Sequence, residues 1–145
     1  MMLKARGGVV IRAPRGVVFD YLADARHEPE WLPGASGVAL VTGEPVGAGS
    51  RFRGQYARAG TVEVTIACYE RPDRLTLHGE ASNLSFDDEI ELVERGEETE
   101  LRAVMSTQPK GFFRVVAPLV GRVISKQFQA NWESLRARLE GGASR

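Results

Sequence analysis

The sequence holds a single cysteine, Cys68, and two histidines, His27 and His78, in 145 residues. One cysteine excludes an internal disulfide and any zinc site built from several thiolates. Two scattered histidines without a spaced carboxylate partner carry no metal-site signature, so neither a metal nor a cofactor is expected. An excess of one charge is also lacking, because 19 basic residues balance 19 acidic ones. Nucleic-acid binding, which rests on a surplus of Lys and Arg, is therefore not expected. Long hydrophobic runs are missing too. The greasiest stretch, Phe112 to Ile124, is broken by Arg114, Pro118 and Arg122 and is too short to span a bilayer. The opening MMLKARGG lacks the apolar core of a secretion signal, which makes a cytoplasmic location the expectation. Gly47-Ala48-Gly49 has Phe52 where a dinucleotide fingerprint needs its third glycine, so it reads as a turn. Asn83-Leu84-Ser85 fits the glycosylation sequon but carries no weight without secretion.

What is present is an ordinary globular composition, 43% hydrophobic, with no linker, repeat or low-complexity segment. A chain of this length forms one domain and buries roughly 70% of its unfolded surface. The apolar run Val9-Val10-Ile11 leads into Ala13-Pro14, and proline suits the first turn of a helix because its missing N–H is not needed there. Val18, Phe19 and Leu22 follow at helical spacing, with Arg15, Asp20 and Asp24 on the wet side. A second short turn, Glu28-Pro29-Glu30-Trp31, presents one large aromatic and stops at Pro33-Gly34. The start of the chain thus reads strand, helix, short helix.

From Gly37 to about Thr107 the pattern has period two. Phe52, Gly54 and Tyr56 form one inward set; Val62, Val64, Ile66 and Cys68 form the next. Leu75 and Leu77, then Phe86, Ile90 and Leu92, then Leu101, Ala103 and Met105 continue it. Arg58-Ala59-Gly60 suits a three-residue hairpin loop, Arg71-Pro72-Asp73-Arg74 a type I turn, and Arg95-Gly96 a two-residue loop. These turns set apolar residues opposite apolar residues and predict an antiparallel meander with one dry face. The last element, Gly111 to Glu140, carries Phe113, Val116, Val120, Ile124, Phe128, Leu135 and Leu139 on one helical stripe, with Pro118 expected to kink it or to mark its regular start. The domain is expected to end at residue 140, with a disordered tail over 141–145.

These segments together resemble the START/Bet v 1-like superfamily, also called SRPBCC, and within it the polyketide cyclase/dehydrase-like branch. The resemblance is carried by Ile11 to Pro14 leading into Val18-Phe19-Asp20-Tyr21-Leu22-Ala23-Asp24, and by Trp31-Leu32-Pro33-Gly34. Pro45 to Phe52, Pro72-Asp73-Arg74-Leu75, and the run Ala117 to Arg122 through Asn131, Leu135 and Leu139-Glu140 complete it. It implies an α+β helix-grip fold, in which a curved antiparallel sheet of about seven strands wraps a long C-terminal helix, with two short helices after the first strand. It also implies a cavity between sheet and helix that takes hydrophobic molecules such as lipids, polyketides or quinones.

Under that expectation Trp31, Phe52, Tyr56, Val64, Leu77, Phe86, Asp88, Met105, Phe113, Val116 and Val120 are the candidate ligand-binding residues. Trp31 belongs at the cavity mouth while also packing as a core or rim residue. Asp88 is the anomaly, a carboxylate at an inward position between Phe86 and Ile90, with Leu77 and Ala103 expected beside it. Facing inward it would be desolvated and raised in pKa, which makes it the best candidate for a catalytic acid or base. A β-bulge near Asp87-Asp88 that turns it outward, or a pairing with a buried Arg, is the alternative. Parity places Cys68 inside and His78 outside, which argues against a catalytic dyad and makes Cys68 a small core residue. His27 reads as a surface group, and Arg51 and Arg53 as solvated or paired across strands. The leading function is binding of a hydrophobic or aromatic small molecule. The alternatives are a polyketide cyclase or dehydratase using the inward carboxylate, and a protein- or membrane-interaction module docking through Phe112, Phe113 and Leu119. A homodimer is compatible with all three.

Overall fold

Alternating apolar and polar side chains build a seven-stranded antiparallel sheet in a computed structural model that describes residues 2–143. The strands are β1 (Leu3–Ile11), β2 (Ser36–Leu40), β3 (Arg51–Tyr56), β4 (Gly60–Glu70), β5 (Arg74–Glu80), β6 (Leu84–Arg95) and β7 (Glu98–Pro109). From β2 to β7 each strand pairs with the next in sequence, and β1 adds to the far edge beside β7. The helices are α1 (Arg15–Ala23), α2 (Glu28–Trp31) after a single 3-10 turn at Ala25–His27, and α3 (Phe113–Ala143). This is the helix-grip arrangement. Pro14 caps α1 in an extended conformation, so the regular helix begins one residue later than the proline. Pro118 lies within α3, and the helix includes Gly141 to Ala143, which the sequence assigns to the tail. Ser144 and Arg145 lie outside the described residues.

Three local details differ from the sequence expectation. The turn between β4 and β5 spans Glu70–Asp73, closed by a bond from Asp73 N–H to the Glu70 carbonyl at 2.7 Å. Its third position is Pro72 on a cis peptide bond, so it is not a type I turn starting at Arg71. The loop between β6 and β7 is Gly96-Glu97, since Arg95 pairs with Glu98. This moves the pairing by two positions along one strand and keeps every side chain on its expected face. Asp88 therefore lies opposite Leu77 and Met105, and Ala103 lies opposite Ile90 instead. Finally, the register of β4 shifts between Ile66 and Cys68, with Ile66 opposite Leu77 and Cys68 opposite Thr76. That irregularity reverses parity at the end of β4. Cys68 is turned off the dry face and Tyr69 takes its place against Phe19, with ring centroids 5.1 Å apart.

The concave face of the sheet is covered by two different elements. Val18, Phe19 and Leu22 of α1 are buried, and α1 packs against β6 and β7. Here the interior is solid, filled by Ile11, Ile66, Leu75, Ile90, Leu92 and Leu101. Over the other end lies α3, seated mainly on β1 through Phe128, Trp132 and Leu135. It can approach because β1 carries Gly7-Gly8 there. A Cβ at Gly7 would stand 2.9 Å from both Trp132 and Gln129. Gln129 fastens the contact, accepting from Gly8 N–H at 3.0 Å and donating to the Gly8 carbonyl at 2.8 Å.

Candidate functional site

The second half of α3 is held on β1, but the inner face of the sheet is not filled everywhere beneath the helix. A cavity of about 730 Å³ remains between α3, α2 and strands β3 to β7. The floor is the sheet: Tyr56, Val62, Val64, Leu77, Phe86, Asp88, Met105 and Thr107. The roof is α3, with Phe113, Ile124, Phe128 and Trp132. At the rim are Leu32-Pro33-Gly34 after α2 and Ala57-Arg58-Ala59 of the β3–β4 loop. The wall is mostly apolar, with a small number of polar groups, the usual form of a small-molecule site.

Two carboxyls face this space. Asp88 comes from β6 with no bulge at its position and is only 9% exposed. Its Oδ1 has no hydrogen-bond partner among the described residues. Glu28 comes from the first turn of α2, is equally buried, and accepts a hydrogen bond from the Tyr56 hydroxyl. Burial disfavours both charged forms. It pushes Glu28 up to about 7, with the Tyr56 bond opposing, and Asp88 up to about 8, with the negative charges of Glu28 and Glu89 adding to the effect. Near neutral pH the pair therefore holds protons that ordinary carboxyls would have lost. The Trp31 and Trp132 rings stack nearby at 5.8 Å and 22°, and neither indole N–H has a partner.

Residues 2–140 match the family described as polyketide cyclase / dehydrase and lipid transport. The chain belongs to this family. Solved structures share the fold at low identity. A START superfamily protein from Mycobacterium smegmatis aligns with a TM-score of 0.78 at 16% identity, over 96% of this chain and 98% of that one. The Zhui aromatase/cyclase from Streptomyces sp. R1128 aligns at 0.75 and 14% identity, over 97% and 94%. Truncated norcoclaurine synthase from Thalictrum flavum aligns at 0.67 and 13% identity, over 96% and 94%. No curated protein is matched by the sequence.

Within this polyketide cyclase-like chain the structure brings Trp31, Tyr56, Val64, Leu77, Phe86, Asp88, Met105 and Phe113 to one cavity. Phe52 and Val116 are not among its lining residues. Phe52 shares a face with Tyr56 but sits about 13 Å away along β3. At 1% exposure it belongs to the solid end of the interior. Val116 is half-buried in the first half of α3. The side chain of Val120 lies outside the described residues. Phe112 and Leu119, expected with Phe113 on one docking face, are strongly exposed, whereas Phe113 turns to the cavity.

Glu28 and Trp132 are among the wall residues outside the set expected from sequence, as are Val62, Thr107, Ile124 and Phe128. Glu28 stands three positions before Trp31, hence on the same helical face, which was the available signal. Trp132 fills the gap in the stripe between Phe128 and Leu135. The histidines are elsewhere. His27 stacks on Tyr21 and bonds its carbonyl at 2.9 Å, and His78 lies on the outer face between Asp87 and Glu80, each at 2.8 Å. Arg51 and Arg53 both pair with Glu63 across strands. Among the described residues no cluster of His, Cys, Asp or Glu could hold a metal, and no helix is long and apolar enough to cross a membrane.

Proposed function

We propose that this member of the family holds a hydrophobic, ring-containing small molecule in the cavity between sheet and α3. The observation that carries this reading is the cavity itself: about 730 Å³, with Trp31, Tyr56, Phe86, Phe113, Phe128 and Trp132 in its wall. A space of that size suits a ligand of a few fused or linked rings. Aromatic walls gain from stacking on such a ligand beyond the area they bury. Native mass spectrometry of gently purified protein tests it. A retained apolar adduct at one per chain is expected, and a chain that stays ligand-free in the presence of excess aromatic compounds contradicts it.

A second reading, proton transfer on the bound molecule, is favoured by the Glu28–Tyr56–Asp88 group. General acids and bases work best with pKa values near the working pH, and both carboxyls are pushed there. One carboxyl in each protonation state supplies a donor and an acceptor in a single dry site. The Zhui protein that shares this fold bears the name aromatase/cyclase, which makes an aromatic polyketone the substrate to try. Turnover that disappears in both Glu28→Gln and Asp88→Asn while binding persists supports this reading; turnover unchanged in both removes it.

A further inference from the structure

We propose that the molecule held in the cavity carries a protonated amine, seated between the Glu28 and Asp88 carboxyls and against the surrounding aromatic rings. This rests on the cavity reading above and names the chemical class of its ligand. The geometry begins with an imbalance. Many acids elsewhere in the chain are matched with cations, among them Asp20 with Arg71, Glu100 with Arg95 and Arg102, and Glu80 with Lys110. In the cavity two carboxyls face the same space from α2 and β6, and among the described residues neither has a cationic partner. Arg58 is the one cationic side chain among the described lining residues, and it is exposed on the rim. The polar neighbours on α3, Gln127 and Asn131, are neutral. Asp88 Oδ1 is left without any partner although its residue is nine-tenths buried.

Each class of ligand can be weighed against that wall. An acid, such as a fatty acid, would bring a negative charge beside two carboxyls that burial already keeps from ionising, with no cation in the described wall to meet it. A neutral ring system would fill the volume and leave Asp88 Oδ1 unsatisfied, which is costly for a buried polar atom. An ammonium supplies the missing charge and the missing donors together, in charge-assisted bonds. The aromatic lining favours it again, since a cation over the faces of Trp, Tyr or Phe is attracted by the ring quadrupole. Trp31, Trp132, Tyr56 and Phe86 bring such rings to the same cavity as the two acids.

A proton count follows. In the empty cavity burial keeps protons on the pair. An ammonium stabilises both ionised forms, so its entry expels protons and its affinity rises with pH until the amine itself deprotonates. The titrating group facing the pair is Tyr56 from β3, which donates to Glu28; Glu89, next to Asp88 on β6, is exposed on the outer face and acts only through its charge, and Arg58 stands at the rim.

Three matched probes test the inference: 1-naphthylmethylamine, 1-ethylnaphthalene and 1-naphthylacetate, titrated into the full chain at pH 6 and pH 8. The amine is expected to bind about tenfold more tightly than the neutral probe at pH 8, with the acetate weakest. The gap should narrow at pH 6. Glu28→Gln and Asp88→Asn should each reduce the amine's preference while leaving the neutral probe in place. Equal or tighter binding of the neutral probe at pH 8, or an amine preference intact in both variants, overturns the ammonium site and leaves the cavity reading standing. Failure of all three probes overturns both.

Discussion

Tyr56 donates its phenolic hydrogen to Glu28 Oε1, joining the end of β3 to α2 at the cavity wall. The bond favours the ionised carboxyl, but burial outweighs it and Glu28 remains raised to about 7. The charge on Glu28 then helps to raise Asp88. Two consequences can be measured by carbon NMR of the carboxyl groups. Tyr56→Phe should move the Glu28 midpoint upward, because a bond to the charged form is lost. Glu28→Gln should move the Asp88 midpoint downward from about 8, while burial keeps it above the ordinary range for Asp. An Asp88 midpoint unchanged in Glu28→Gln would mean that the two groups do not interact.

The same shifts set the pH dependence of stability. Asp88 has a folded pKa above its unfolded value of about 3.9, so the folded state keeps a proton that the unfolded chain releases. The contribution is fully present below the unfolded pKa and is lost as pH rises toward the folded value near 8. Glu28 behaves alike over a window ending near 7. Asp88→Asn removes the buried charge and keeps much of the shape. We expect it to raise stability at pH 8 by about 1–3 kcal/mol, with a smaller gain at pH 5, where the pH has only begun to climb from the unfolded toward the folded pKa. Thermal melts at both pH values check this; a mutant less stable at pH 8 would show that the ionised carboxylate is well solvated or paired.

Phe86 lies across Gly79 on the neighbouring strand, and a Cβ at that glycine would collide with the ring. Gly79→Ala should therefore displace the Phe86 ring and alter the cavity floor. The expected cost is about 1–3 kcal/mol in stability, as for other overpacked sites, with weaker binding of an apolar probe. Unchanged probe affinity in the folded variant would show that Phe86 does not shape the site.

Leu135 and Leu119 lie on the same helix in opposite circumstances, the first wholly buried and the second 81% exposed. Leu135→Ala should cost about 2–5 kcal/mol and Leu119→Ala less than about 0.5 kcal/mol. Denaturant unfolding of the two variants separates them. Equal losses would contradict the seating of α3 through its second half.

Much of this was legible in the chain because strand parity survives small errors. The β6–β7 pairing is displaced by two positions from its expected register, yet Asp88 still faces inward, since a shift of two preserves the face. Cys68 was misplaced for the complementary reason. One irregularity between Ile66 and Cys68 changes the parity by one, and nothing in the residue types marks it. Parity also says which face is dry without saying where along a strand packing is solid. Phe52 and Tyr56 look alike in the pattern, but α1 covers one end of the sheet and α3 bridges the other. Glu28 escaped notice because a one-turn helix that contains Pro29 and ends just before Pro33 offers too little periodicity to assign its faces.

The two tryptophans of the chain, Trp31 and Trp132, both stand in the cavity wall and stack on each other. Intrinsic tryptophan fluorescence thus reports on this site alone. Titration with a naphthalene-based ligand should give a saturable fluorescence change with one site per chain, and in calorimetry the heat of binding should be lost in Val64→Trp, whose added ring fills the cavity. A fluorescence signal that does not respond, or that drifts linearly without saturating, would contradict a ligand cavity beneath α3.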